Sequence, residues 1–91
     1  MAYKPLHLIS YLYILHPGTM KGNFVYLKIG KRIASLRKKQ KISQDHLAFI
    51  ADMDRTHLTR LEKGRTNPSV RTLHKIARKL KVKVSFLLRD I

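Results

Sequence analysis

Ser43-Gln44-Asp45-His46-Leu47-Ala48 and, further on, Asp54-Arg55-Thr56-His57-Leu58-Thr59-Arg60-Leu61-Glu62-Lys63-Gly64 decide the fold of this chain. A small hydroxyl or carboxylate residue opens each run, Ser43 the first and Asp54 the second, and either side chain can accept a bond from the free amides of a first helical turn. Leu47, Ala48, Ile50, Ala51, Met53, Leu58 and Leu61 recur at spacings of three, four or seven, which gathers most of them on one side. Gln44, Arg55, Thr56, Thr59 and Arg60 are left to point outward. The pattern predicts two short helices around a tight turn.

Working outward, Leu27, Ile29, Ile33, Ala34 and Leu36 have helical spacing, with Lys31, Arg32, Lys38 and Lys39 on the other side, so a first helix runs from Asn23, its candidate cap, to near Gln40. Only Phe24 to Leu27 reads equally well as strand or helix. Beyond the central pair, Asn67-Pro68-Ser69 makes a break in which Ser69 can cap a fourth helix with the stripe Val70, Leu73, Ile76, Ala77 and Leu80. Ser85 is a candidate cap for a short last helix carrying Phe86, Leu87 or Leu88, and Ile91. The expected fold is all-α, five helices over residues 23–91. Residues 1–22 form an extension of different composition, Leu/Ile/Tyr-rich up to His16-Pro17-Gly18-Thr19 and followed by a second methionine, Met20. That extension reads as a dispensable segment upstream of an alternative start at Met20, or as a hydrophobic arm for self-association.

Charge narrows the function. Twenty Lys and Arg against five acids give a formal net charge of +15, and eighteen of the twenty lie from Lys28 onward. That balance calls for a polyanionic partner. Nucleic acid suits it better than a lipid surface, because the cations sit among several amphipathic helices and not on one helix with a broad apolar face. With no cysteine there is no disulfide framework and no thiolate zinc site, and a cytoplasmic setting is expected. The apolar run Leu6 to Leu15 is well short of the ~20 residues that span a bilayer and has no small-x-small cleavage site after it, so no membrane partner is expected.

Taken together, Ile29-Gly30-Lys31-Arg32-Ile33, Arg37, Ser43-Gln44, Leu47-Ala48, Leu61-Glu62-Lys63-Gly64, Asn67-Pro68-Ser69, Leu73, Ile76-Ala77 and Leu80 resemble the phage repressor and Cro-like family of helix-turn-helix DNA-binding domains, also called Xre-like. The resemblance runs from about Ile29 to Leu88. It implies that the third helix, Arg55 to Lys63, enters the major groove of double-stranded DNA, with Arg55, Thr56, Thr59 and Arg60 at base-contacting positions. An arginine can donate two bonds to guanine O6 and N7, and a threonine methyl can pack on thymine; plain phosphate contact is the alternative for Arg55 and Arg60. Gln44, His57, Lys63, Arg65 and Thr66 are the expected phosphate contacts. The family pairs an arginine of the first helix with a glutamate of the third, here Arg37 and Glu62, and it points to the C-terminal cluster Val84, Phe86, Leu88 and Ile91 as the homodimer interface. Where the family commonly has glycine after the first helix, in the central turn and after the fourth helix, this chain has Lys41, Asp52 and Lys81. A glycine there would typically adopt a left-handed conformation that costs other residues about 1 kcal/mol, although Asp tolerates it better. These turns are therefore less firmly specified than the helices, and the fold is expected to be a little less stable than a family average.

Other chemistry finds little purchase. His46, His57 and His74 sit on separate helices with no i, i+4 pairing, and there is no phosphate loop, nucleophile elbow or paired carboxylate, so neither metal nor cofactor nor enzymatic activity is expected. The leading expectation is a sequence-specific transcriptional regulator, of repressor or restriction-modification controller type, bound as a dimer to a palindromic operator. The alternatives are an antitoxin that also binds a toxin protein, through Leu6 to Leu15 or the last helix, and a nucleic-acid binder that uses charge alone.

Overall fold

The computed structural model describes residues 23–91, and within them five helices and no strand: α1 Asn23–Lys39, α2 Gln44–Ile50, α3 Arg55–Glu62, α4 Val70–Leu80 and α5 Val84–Leu87. The extension 1–22, with its Leu6–Leu15 run, lies outside the described residues. Phe24 to Leu27 is helical, and Asn23 is already part of α1.

Two of the serine caps form as their sequence context predicts. Ser43 Oγ accepts from the His46 amide and Ser69 Oγ from the Thr72 amide, both at 3.0 Å, each satisfying a donor that a first helical turn cannot pair internally. Asp54 holds the extended backbone of a cap, but its side chain makes no capping bond. The exposed carboxylate stays in water. At the last helix Lys83, not Ser85, is the capping residue, without a side-chain bond. The left-handed turn at Lys81 brings the chain round early enough that α5 begins at Val84 and takes Ser85 into the helix.

The core is one cluster built from Ile29 and Ile33 of α1, Leu47 and Ala48 of α2, Leu58 and Leu61 of α3, Leu73, Ile76, Ala77 and Leu80 of α4, and Leu87 of α5, with Ala51 between α2 and α3. Two expected members stand apart. Val70 is 73% exposed, because it is the first residue of α4 and precedes the stripe that packs. Leu27 is 37% exposed; its main chain is pressed against Gly64, and its side chain shares a surface pocket with Phe24, Lys28 and Lys31.

Close backbone approach explains two glycines. A methyl at Gly30 would meet the Leu61 and Glu62 carbonyl oxygens, the latter at 2.6 Å, so α1 and α3 cross here at a spacing only glycine permits. Gly64 has φ +71° and fits a turn that would put a side chain into the Leu27 backbone. The three departures from glycine adopt the same left-handed region: Lys41 at φ 59°, Asp52 at 56° and Lys81 at 63°. Hydrogen bonds hold the ends of the helices in place around them. Gln40 Nε2 donates to the Leu80 carbonyl at 2.8 Å, and Lys75 Nζ donates to the Asp52 carbonyl at 3.2 Å. Arg32 Nη1 donates to the carbonyls of Phe86, Leu87 and Arg89, tying the C-terminal segment to α1.

Candidate nucleic-acid interface

α3 buries Leu58, Leu61 and Glu62 against α1 and α2 and turns Arg55, Thr56 and Arg60 to solvent. With eight residues and buried leucines on its inner side, it has one outer face to offer. Lys63 and Arg65 follow it, both exposed, and Thr66 is half-buried.

What fixes the pitch of α3 is a polar network beneath it. Arg37 Nε donates to Glu62 Oε2 at 2.7 Å and Arg37 Nη2 to Glu62 Oε1 at 3.0 Å, a two-pronged ion pair whose side chains are 10% and 5% exposed. Arg37 Nη1 donates to the Ile42 carbonyl at 2.9 Å, so the same guanidinium pins the α1–α2 loop. Gln44 Nε2 donates to Glu62 Oε1 at 2.8 Å, and Thr59 Oγ1 donates to Gln44 Oε1 at 3.1 Å. Three helices therefore share one buried carboxylate.

The network brings the expected ion pair together and refines three other sites. Gln44 is half-buried and spends its oxygen and one amide hydrogen inside the protein, leaving its second amide hydrogen for an outside acceptor. Thr59 is half-buried with its hydroxyl engaged, which leaves its methyl as the unbonded end of the side chain. His57, an expected phosphate contact, is half-buried.

Sequence reasoning missed two features of this face. Lys31 and Lys38 line a cleft of about 560 Å³ with Gln44, Glu62 and Lys63, adding α1 cations beside the outer face of α3. Their spacing of seven along α1 was the available signal. Asp45 in the first turn of α2 sits with its Oδ1 3.5 Å from Arg55 Nε, a pair that spans the turn between the two helices. At the far end, Leu88 is exposed, while Val84, Phe86 and Ile91 are half-buried and packed partly on their own core. The Arg89 guanidinium lies 4.6 Å from the Phe86 ring centroid.

A short helix held rigid over a second one, with arginines and threonine outward and lysines along the rim, defines a DNA-binding regulator of transcription. The chain belongs to the Helix-turn-helix family, whose sequence profile matches residues 33–87, and within it to the phage repressor and Cro-like type. It is 37% identical over 64 residues to an immunity repressor protein of Bacillus phage phi105, covering 70% of this chain and 44% of that one. The chain thus spans less than half the length of that repressor. It is 36% identical over 70 residues to the control protein C.MunI of a Mycoplasma species, covering 76% of this chain and 95% of that one. Among solved structures, SinR, a master regulator for biofilm formation crystallised in complex with DNA, superposes with a TM-score of 0.63 at 38% identity, covering 66% of this chain and 97% of that one. Among the described residues no helix is long and apolar enough to cross a membrane.

Proposed function

We propose that this chain represses or controls transcription by binding a palindromic operator as a homodimer, in the manner of a phage repressor or a restriction-modification controller. The observation that carries this reading is the outward trio Arg55, Thr56 and Arg60 on a helix whose orientation is locked by the Arg37–Glu62–Gln44–Thr59 network. Base readout needs side chains held to within a fraction of an ångström, and a hydrogen-bonded network centred on a buried ion pair supplies that support. Gln44, His57, Lys63, Arg65 and Thr66 take the phosphates, which set register without reading sequence. The DNA-binding unit is residues 23–91, it acts in the cytoplasm, and its role is binding, not catalysis. The repressor and controller relatives favour this reading over an antitoxin.

Selection from random duplex DNA tests it. The expected product is a two-fold symmetric motif with half-site centres about 34–36 Å apart, or a multiple of that. Recovery of unrelated sequences would leave only the charge-driven reading. On the selected site, Arg55→Ala is expected to lose about 1–3 kcal/mol and relax one base position while sparing random DNA. Lys63→Ala should weaken both alike and flatten the plot of log affinity against log salt by about 0.9. Equal losses on both DNAs for Arg55→Ala would move that arginine to the phosphate set.

A further inference from the structure

We propose that Asp45 is a positioning residue for base readout: its carboxylate holds the Arg55 guanidinium by the Nε edge and so sets which base pair the protein selects. This rests on the reading of Arg55 as a base contact. Asp45 Oδ1 lies 3.5 Å from Arg55 Nε, and the side chains are 77% and 64% exposed. The two residues stand on different helices, at the first turn of α2 and the first residue of α3, so the pair bridges the turn on the surface proposed above to meet DNA. A carboxylate held at Nε leaves Nη1 and Nη2 as a free, parallel pair of donors, the geometry that matches guanine O6 and N7.

The simpler account of Asp45 is an acid that complements the positive end of α2. That account leaves an unshielded negative charge on the face expected to meet phosphate, in a chain with only five acids against twenty cations. Pairing removes the difficulty. The Asp45–Arg55 unit is close to neutral, so it gains little from wandering to a phosphate, yet it keeps its two hydrogen-bond donors for a base edge. In water so exposed a pair is weak. At the DNA surface, where water is displaced and the local dielectric falls, the same contact strengthens.

The two accounts part on discrimination between base pairs. If Asp45 positions Arg55, Asp45→Ala and the isosteric Asp45→Asn bind random duplex as well as or better than the natural protein, since an acid is gone and Arg55 is free to take a phosphate. On the selected operator they lose discrimination at the single base pair read by Arg55, by roughly tenfold. The measurement is affinity for the operator, for its three single-base alternatives at that position and for random DNA, made with Asp45→Ala, Asp45→Asn, Arg55→Ala and the double variant Asp45→Ala/Arg55→Ala. The double variant is expected to discriminate no worse than Arg55→Ala alone. Uniformly tighter binding to every duplex by the Asp45 variants, with the base preference intact, overturns the proposal and leaves the helix-end account. The Arg55→Ala arm separates the two failures. A relaxed preference there with none in the Asp45 variants sinks only the positioning role, whereas an unchanged preference in Arg55→Ala takes both readings down.

Discussion

Glu62→Ala is expected to destabilise the protein by about 3–5 kcal/mol, the cost of leaving a buried charge without its counterion. The structure gives three reasons to place it near the top of that range. Glu62 accepts from Arg37 twice and from Gln44 once, so its loss strands an arginine and a glutamine amide together. Swinging Arg37 out to water would also break its Nη1 bond to the Ile42 carbonyl. The space vacated lies beside the close crossing of α1 and α3 at Gly30, where the backbones already touch. Against a total stability of about 5–15 kcal/mol for a domain, such a loss leaves the fold marginal. Chemical denaturation measures it directly. Arg37→Ala should cost a similar amount, and the double variant much less than the sum, as befits two residues that act as one. A loss below about 1 kcal/mol for Glu62→Ala would mean that the pair behaves as an exposed one.

Phe86→Asp combined with Leu88→Asp is expected to give a folded monomer that binds the operator roughly 10²–10⁴-fold more weakly, the scale on which tethered half-sites gain over separate ones. In the proposed reading α3 and its flanks face DNA, which leaves the rest of the surface for a dimer contact. The described candidate is the C-terminal cluster, with Leu88 exposed and Val84, Phe86 and Ile91 half-buried. Because Phe86 also packs on its own core, Leu88→Asp alone serves as the variant that leaves that packing intact. Sedimentation of these variants beside a protein begun at Met20 decides the matter. A dimer that survives the aspartates but dissociates on loss of residues 1–19 would place the interface in the N-terminal segment instead.

Most of the fold was legible because its signals are local. Leucine and isoleucine at helical spacing and Ser43 and Ser69 before the runs they cap all act through the residues around them. The resemblance to phage repressors implied the Arg37–Glu62 pair, which a lone glutamate on a cationic segment then made plausible. The errors arose at edges, where periodicity extends a stripe past the point at which a neighbour exists to cover it: Val70 leads α4 into solvent, and Leu27 meets Gly64 with its backbone. Side-chain aim was the least legible. Gln44 and Thr59 look like outward polar residues in the sequence, and only the placement of Glu62 between three helices turns them inward. The Asp45–Arg55 contact and the Arg32 tie to the C-terminal carbonyls depend in the same way on how helices meet.

The left-handed residues at Lys41 and Lys81 have a consequence for heat resistance. Each holds a lysine in a conformation that glycine adopts without steric cost, so replacement by glycine should recover roughly 0.5–1 kcal/mol after the entropy glycine loses on folding. In a domain of this length about 1 kcal/mol moves the melting temperature by about 4–8 °C. Neither lysine belongs to the proposed DNA face, and Lys41 also lies away from the C-terminal cluster in sequence. The protein thus carries unused thermal headroom at its helix ends, and a version hardened there should still recognise the same DNA.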